Sequence, residues 1–294
     1  MFIVRHRKIF FAISGLLLAV SLWAMYVFGF NTSIDFKGGT LTEVKFSERP
    51  AQNEVESKIG ALNLGGISIR PSGDANYAIR TRELTTEERQ ALIEVLGSAV
   101  VERQNTIGPV AGRELKDKAV KAILVVILMI VLFITFAFRK VSQPVSSWKY
   151  GLATIVALAH DIIIPTGAFV LLGHYMGAEI DLLFVTGLLA ILGYSVHDTI
   201  VVFDRVRENL RISKETNTHE DFEVIVGKSV TQTFGRSINT SLTIFITLLA
   251  LFLIGSPATK DFALLLIIGV IAGTYSSIFV ASPLLVTFYK FRRK

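Results

Sequence analysis

Cysteine is absent from all 294 residues. That removes disulfides, thiolate metal sites and a thiol nucleophile, and leaves the redox compartment unread. Charge is scarce as well: Asp, Glu, Lys and Arg make up 18% of the chain, against about 25% in a soluble protein. No Gly-rich loop followed by Lys-Ser/Thr is present, no metal-spaced His cluster, and no nucleophile set beside a base. ATP hydrolysis, metal chemistry and hydrolytic catalysis therefore lack their residues. The sequence reads as a non-enzyme with no cofactor and no metal.

What the chain has instead is apolar length. Hydrophobic residues account for 51%, the mean hydropathy is +0.55, and they fall in long runs rather than in alternation. A helix needs about 20 apolar residues to cross about 30 Å of hydrocarbon. Six stretches qualify, at 9–29, 119–138, 151–172, 182–203, 238–254 and 262–288. The first follows Arg5, Arg7 and Lys8 as a signal peptide would. Its run is too long for one, and no small-x-small site follows, so it reads as a retained anchor.

The net charge of +6 is orientation chemistry rather than a nucleic-acid footprint. Sixteen Lys and Arg lie in the N-terminus, 139–149, 204–237 and the tail after Tyr289, while 173–181 and 255–261 together hold only Lys260. The positive-inside rule then puts both termini in the cytoplasm and 31–118 outside. Three parts follow: 1–30 as cytoplasmic segment and first span, 31–118 as an extracytoplasmic domain, and 119–294 as the remaining five spans.

The outer segment carries its own pattern. Thr40–Phe46, Ile67–Arg70, Tyr77–Thr81 and Val100–Ile107 read as strands, with Pro71, Ser72, Gly73 and Asp74 as a turn. Ala51–Leu62 reads as an amphipathic helix, and a second runs to Gly97 from a cap at Thr85 or Thr86, with Glu88 in its first turn. The order β-α-β-β-α-β predicts a ferredoxin-like α+β sandwich. That fold hosts many functions. Its twelve Lys and Arg are spread out as a solvated face. Gly38 and Gly39 permit a tight turn.

Ionisable groups inside the runs cost about 2.5–3.5 kcal/mol each, so each needs a reason. At helical spacing Gly187, Ala190, Tyr194, Asp198 and Arg205 share a stripe expected to face the bundle. Arg236, Thr240, Thr243 and Thr247 form a second one. An Asp198–Arg236 pair is geometrically plausible. Two readings stand: Asp198 takes up and releases a proton under the influence of Arg236, or the two form a permanent ion pair that fixes packing. His160 and Asp161 in the third run are either a relay or an interhelical hydrogen bond. Gly269, Gly273, Ser277 and Ala281 recur every four residues, a small-residue seam for packing within the chain or against a partner.

Four stretches together carry a resemblance: Ser33-Ile-Asp-Phe-Lys-Gly-Gly-Thr40, Gly108-Pro-Val-Ala-Gly-Arg-Glu-Leu115, Val156-Ala-Leu-Ala-His-Asp161, and Gly193-Tyr-Ser-Val-His-Asp-Thr-Ile-Val-Val-Phe-Asp-Arg-Val-Arg-Glu-Asn209. The chain resembles the SecF branch of the SecD/SecF family over nearly its whole length. The resemblance implies one six-helix half of an RND-like assembly, paired with SecD in the bacterial cytoplasmic membrane. That assembly associates with the SecYEG channel and uses the proton-motive force to help preproteins leave on the outer side. It implies Asp198 and Arg236 as proton-coupling residues. At His197 the chain departs from the family, which more often has Asn, leaving either an added titratable group or a hydrogen-bond donor. Two other classes are an RND-type exporter of small molecules or lipids, against which an outer domain of under 90 residues argues, and a non-transporting assembly factor.

Overall fold

The structure is a computed structural model describing residues 2–73, 75–139, 145–218, 220–255 and 257–293. Asp74 of the expected turn, and Lys140 and Lys294 of the basic count, lie outside the described residues. In chain order the elements are α1 (Phe2–Arg5), α2 (Arg7–Phe28), α3 (Ile34–Lys37), β1 (Gly39–Lys45), α4 (Gln52–Gly60), β2 (Ser68–Ser72), β3 (Asn76–Thr81), α5 (Thr86–Leu96) and β4 (Val100–Ile107). They continue with α6 (Pro109–Ala137), α7 (Ser147–Met176), α8 (Leu182–Glu215), α9 (Phe222–Ile254), α10 (Pro257–Ser276), a π-helical turn (Ser277–Ala281) and α11 (Ser282–Arg293). Two compact units emerge, one of residues 31–121 with 175–182, the other of 1–30, 122–174 and 183–294.

The first unit is an antiparallel sheet in the order β2-β3-β1-β4, the ferredoxin-like arrangement. Val44, Ile69, Tyr77 and Ile79 point from the strands onto Val55 and Ile59 of α4 and Leu92 and Leu96 of α5, all buried. Alternation put those side chains on one face. Thr85 caps α5: its hydroxyl accepts from Glu88 N, and the Glu88 carboxylate accepts from Thr85 N, a reciprocal capping box.

The paired glycines before β1 answer to backbone crowding. Gly38 has φ +77° and Gly39 φ +128°. A Cβ on Gly38 would lie 2.8 Å from Pro109 Cα, and one on Gly39 2.5 Å from the Thr81 carbonyl oxygen. Gly112 completes the crossing, since its Cβ would meet Gly38 N at 2.9 Å. β1 can approach both β3 and the first turn of α6 only because these residues lack side chains.

The second unit holds the helices. Six helices among the described residues are long and apolar enough to span a membrane, 7–28, 109–137, 147–176, 182–215, 222–254 and 259–291. They outrun the apolar stretches: α8 has 34 residues, about 51 Å at 1.5 Å per residue, well beyond the hydrocarbon. Most of 204–237 is therefore helix rather than loop, because charged Arg205, Arg207 and Glu208 continue α8 once it has cleared the apolar layer. At the other end, 109–118 is already helical, as the start of α6 with Pro109 at its first position, and still belongs to the sheet unit. Phe138, Tyr150 and Phe203 stack in the centre of this unit's core, Phe138 and Tyr150 face to face at 5.3 Å.

Replacing Gly39 by Ala is expected to cost about 1–3 kcal/mol, read as lower protease resistance of the sheet domain in detergent, whereas Gly15→Ala on α2, with open space around it, is expected to be neutral or slightly stabilising. A second expectation concerns acid. The Arg82 side chain and Thr85 N hold the Glu88 carboxyl down at about 2. Its stabilising contribution is full above the ordinary carboxylate range and is lost as pH falls toward 2. Glu88→Gln should flatten the acid limb of the domain's unfolding curve between about pH 4.5 and 2.

Candidate functional site

Asp198 sits on the buried face of α8, 5% exposed. Its Oδ1 accepts from Ser237 Oγ of α9 at 2.5 Å, while Oδ2 is buried with no partner among the described residues. Ser237 belongs to the row Ser229, Thr233, Ser237, Ser241, all buried on one side of α9, with spacing four that keeps them in line. That row escaped the sequence reading, which followed Arg236 instead. The signal was available as a small-hydroxyl repeat one position away.

The second stripe faces the other way. Arg236, Thr240, Thr243 and Thr247 are exposed, as is His197. The three threonines donate to carbonyls four residues back, Thr240 to Arg236 at 3.0 Å, Thr243 to Asn239 at 2.9 Å and Thr247 to Thr243 at 3.0 Å, which satisfies them inside the helix. The Arg236 guanidinium has no such recourse, and among the described residues it makes no ion pair. The expected α8 stripe is also rotated: Ala190 is exposed and Tyr194 half-buried, while Gly187, Leu188, Ile191, Leu192 and Ser195 face inward.

Asp161 is the saturated counterpart of Asp198. It is fully buried in α7 and faces three partners, His160 Nδ1 at 3.0 Å, Ser276 Oγ at 2.8 Å and Ser195 Oγ. The partners absent from the sequence reading are these serines of α8 and α10. His160 lies over the Tyr275 ring, 5.8 Å between centroids, with Nε2 buried and unpartnered among the described residues. Below this knot, Thr199 Oγ1 and Ser277 Oγ are 2.8 Å apart and Ser277 donates to the Ser195 carbonyl at 3.3 Å. Above it, Tyr194, Ser241 and Thr274 share hydroxyl contacts, 2.6 Å between Ser241 and Thr274. Ser195, Asp198 and Thr199 on this face of α8 are thus tied to α7, α9 and the α10–π segment.

The four-residue seam brings α10 against α8 within this chain. A Cβ at Gly269 would fall inside the Ile191 side chain, and one at Gly273 would lie 3.1 Å from Ser195 Cβ. Ser277 and Ala281 are fully buried in the π turn. Such turns recur where a helix serves a functional site, and here Ser282 donates to the Ser277 carbonyl at 3.0 Å, five residues back. Among the described residues no group of His, Cys, Asp or Glu is gathered to hold a metal.

Gly269→Leu is expected to overpack the α8–α10 seam and destabilise the bundle by about 1–3 kcal/mol, seen as a lower melting temperature in detergent. Ser195→Ala should also lower it, by about 1–3 kcal/mol, since it strips a donor from a buried carboxylate.

Residues 88–291 match the family described as protein export membrane protein SecD/SecF, C-terminal, and residues 23–48 match the SecD/SecF GG motif. The chain is 38% identical to the protein translocase subunit SecF of Thermobaculum terrenum over 97% of its own length and 93% of the relative's. To that of Anaerolinea thermophila it is 36% identical, over 97% and 92%. Among solved structures it is similar to SecDF, a translocon-associated membrane protein from Thermus thermophilus, with TM-score 0.86 and 32% identity over 98% of this chain. The chain spans 38% of the length of that SecDF chain. A family match over more than two thirds of the chain, containing both buried aspartates, together with full-length relatives above 30% identity, makes this chain a member of the SecD/SecF family of protein export membrane proteins.

Proposed function

We propose that this chain is the SecF-type half of a proton-driven accessory of Sec protein export, paired with a SecD-type half in the bacterial cytoplasmic membrane. The carrying observation is the buried Asp198 carboxylate, with one oxygen held by Ser237 and the other open. A carboxylate inside hydrocarbon that lacks a second partner and an ion pair is poised to bind a proton at Oδ2, because protonation removes the cost of the buried charge. Loading and unloading would reset the bond to Ser237 and with it the α8–α9 contact.

Arg236 takes a different part from the direct pairing the sequence allowed. Exposed on α9, beside Ser237 and without an ion pair among the described residues, it bears on Asp198 only through its charge and is positioned for the partner half, where an acidic group would meet it. His197, exposed next to Asp198, would act as a titratable group or a donor. His160 and Asp161, tied by Ser195 and Ser276, are the weaker candidates for the proton path; their hydrogen bonds support a positioning role for α8.

The inward orientation of both termini is supported by where the basic segments gather. Arg7 pairs with Glu223 at 2.7 Å, and Lys290 pairs with the same carboxylate, so the N-terminus, the start of α9 and α11 meet at one end. With that end cytoplasmic, residues 31–118, which follow the first span in the chain, would fall outside by the same charge rule, where an emerging preprotein delivered by the SecYEG channel would meet them. An RND-type exporter of small molecules is not favoured by the family match.

The test is export of a secreted reporter in cells depleted of the native protein and supplied with wild type, Asp198→Asn, Arg236→Met or Ser237→Ala, the partner complex being isolated in each case. Asp198→Asn and Arg236→Met should assemble normally and lose export by about fivefold or more; Ser237→Ala should lose less. Normal export by assembled Asp198→Asn would overturn the proton-coupling reading and leave a non-transporting assembly role.

A further inference from the structure

A serine or threonine hydroxyl inside a membrane helix can donate to the carbonyl four residues back. Thr154 and Thr166 of α7 do so at 2.9 and 2.6 Å, and Ser229 and Ser241 of α9 at 2.7 and 2.8 Å. Ser14 of α2 does not. It is 5% exposed, and its Oγ has no hydrogen-bond partner among the described residues. The reason is competition for the Phe10 carbonyl. That oxygen takes the helix's own N–H from Ser14 and the Tyr275 hydroxyl at 3.0 Å, which fills its two lone pairs. The Ser14 hydroxyl has to find its partner off its own helix.

What it faces follows from the packing of α2 on α7. Phe28 stacks on His174 at 4.2 Å between ring centroids, and a Cβ on Gly167 would overlap the Ser21 side chain. Both pairs have the same separation in sequence and lie one heptad apart, so the two helices run side by side in register. One heptad further back, the same register sets Ser14 beside His160. Tyr275 fixes that juxtaposition from a third helix. Its hydroxyl reaches Phe10, one turn before Ser14, and its ring stacks on His160 at 15° from parallel.

His160 is 1% exposed. Its Nδ1 lies 3.0 Å from Asp161 Oδ1. The carboxylate accepts there when Nδ1 carries the proton, which leaves Nε2 as a lone-pair acceptor. Nε2 has no partner among the described residues. Two polar atoms sealed from solvent thus stand at one level on facing helices, out of direct reach of each other. Burying either one bare is costly, and a polar contact too long for a direct bond is closed by water.

We propose that Ser14 and His160 hold one internal water between α2 and α7, with Ser14 as a positioning residue that acts through it on the imidazole. The water accepts from the Ser14 hydroxyl and donates to His160 Nε2 and to the Tyr275 hydroxyl oxygen. That gives it about three partners, the usual number for a buried water. All three are neutral, which suits water rather than a cation. Both ring nitrogens of His160 then favour the same tautomer. The bonds run from Ser14 through His160 and Asp161 to Ser195 and Ser276, joining α2 to α7, α8 and α10. The site stands apart from Asp198, whose proton coupling can hold or fail without it.

The experiment is nitrogen NMR of the full chain in lipid bilayers, co-isolated with its SecD-type half and isotopically labelled in its histidine rings. It is run at about pH 8, above the ordinary imidazole range, and His160→Gln assigns the signal among the five histidines. Wild type should show the proton on Nδ1 and magnetisation passing from water to Nε2. Ser14→Ala should lose that transfer and Ser14→Thr should keep it. Export of the secreted reporter should fall about threefold in Ser14→Ala and stay at wild-type level in Ser14→Thr. No transfer to Nε2 in wild type overturns the water, as does an undiminished transfer in Ser14→Ala or a proton found on Nε2. Transfer lost with export unchanged overturns the positioning role of Ser14. If Ser14→Ala does not assemble, Ser14→Gly, which also lacks the hydroxyl, is read in its place.

Discussion

A carboxylate in hydrocarbon is costly unless its oxygens are occupied, and the helical unit is arranged around two of them, one fully occupied and one half-occupied. Asp161 is settled by three neighbours drawn from α7, α8 and α10. That fixes the rotation of α8, since Ser195 must point at Asp161. With Ser195 so placed, Asp198 three residues on is carried to Ser237 of α9. One saturated aspartate thus aims the unsaturated one. The two differ because of that: Asp161 has both oxygens occupied, while Asp198 retains an open one.

Glycine and small hydroxyl residues make this possible by letting helices close to backbone distance. Gly167 of α7 lies so near Ser21 of α2 that a Cβ would overlap its Cα and Cβ, and Gly269 and Gly273 admit Ile191 and Ser195 of α8. In a bilayer there is no gain from hiding Leu against Leu, so close approach and shared hydroxyl bonds carry the association. The sheet domain uses the same device at Gly38, Gly39 and Gly112, with the difference that positive φ as well as space is needed there.

Where the sequence could be read, it was through local periodicity. Val100–Ile107 as a strand came out at the residue and the cap of α5 to within one, Thr85 of the pair Thr85 or Thr86, because strand alternation and capping chemistry involve neighbours a few positions apart. Six apolar runs became six long helices, and the expected helix ends were short because charged residues continue a helix readily once it is in water. Of the stripe through Ala190, Gly187 and Asp198 face inward, Tyr194 and Arg205 are half-buried and Ala190 is exposed, because helical spacing marks a face without saying where its edges lie. Ser237 was passed over for Arg236 because a charge is conspicuous in a sequence and a hydroxyl is not.

The family, the six membrane-spanning helices and the β-α-β-β-α-β order of the domain were determined by the chain itself, through hydropathy, alternation and motif, all of which are local. Only the tertiary structure decided that Asp198 faces Ser237 while Arg236 faces outward, that Ser195 and Ser276 occupy Asp161, and that Tyr175–Leu182 joins the sheet unit. The reason is that each of these pairs residues tens to more than a hundred positions apart, and which of many hydroxyls or carboxylates meets a given partner depends on helix rotation and loop closure. A sequence carries those only as the sum of every packing contact at once.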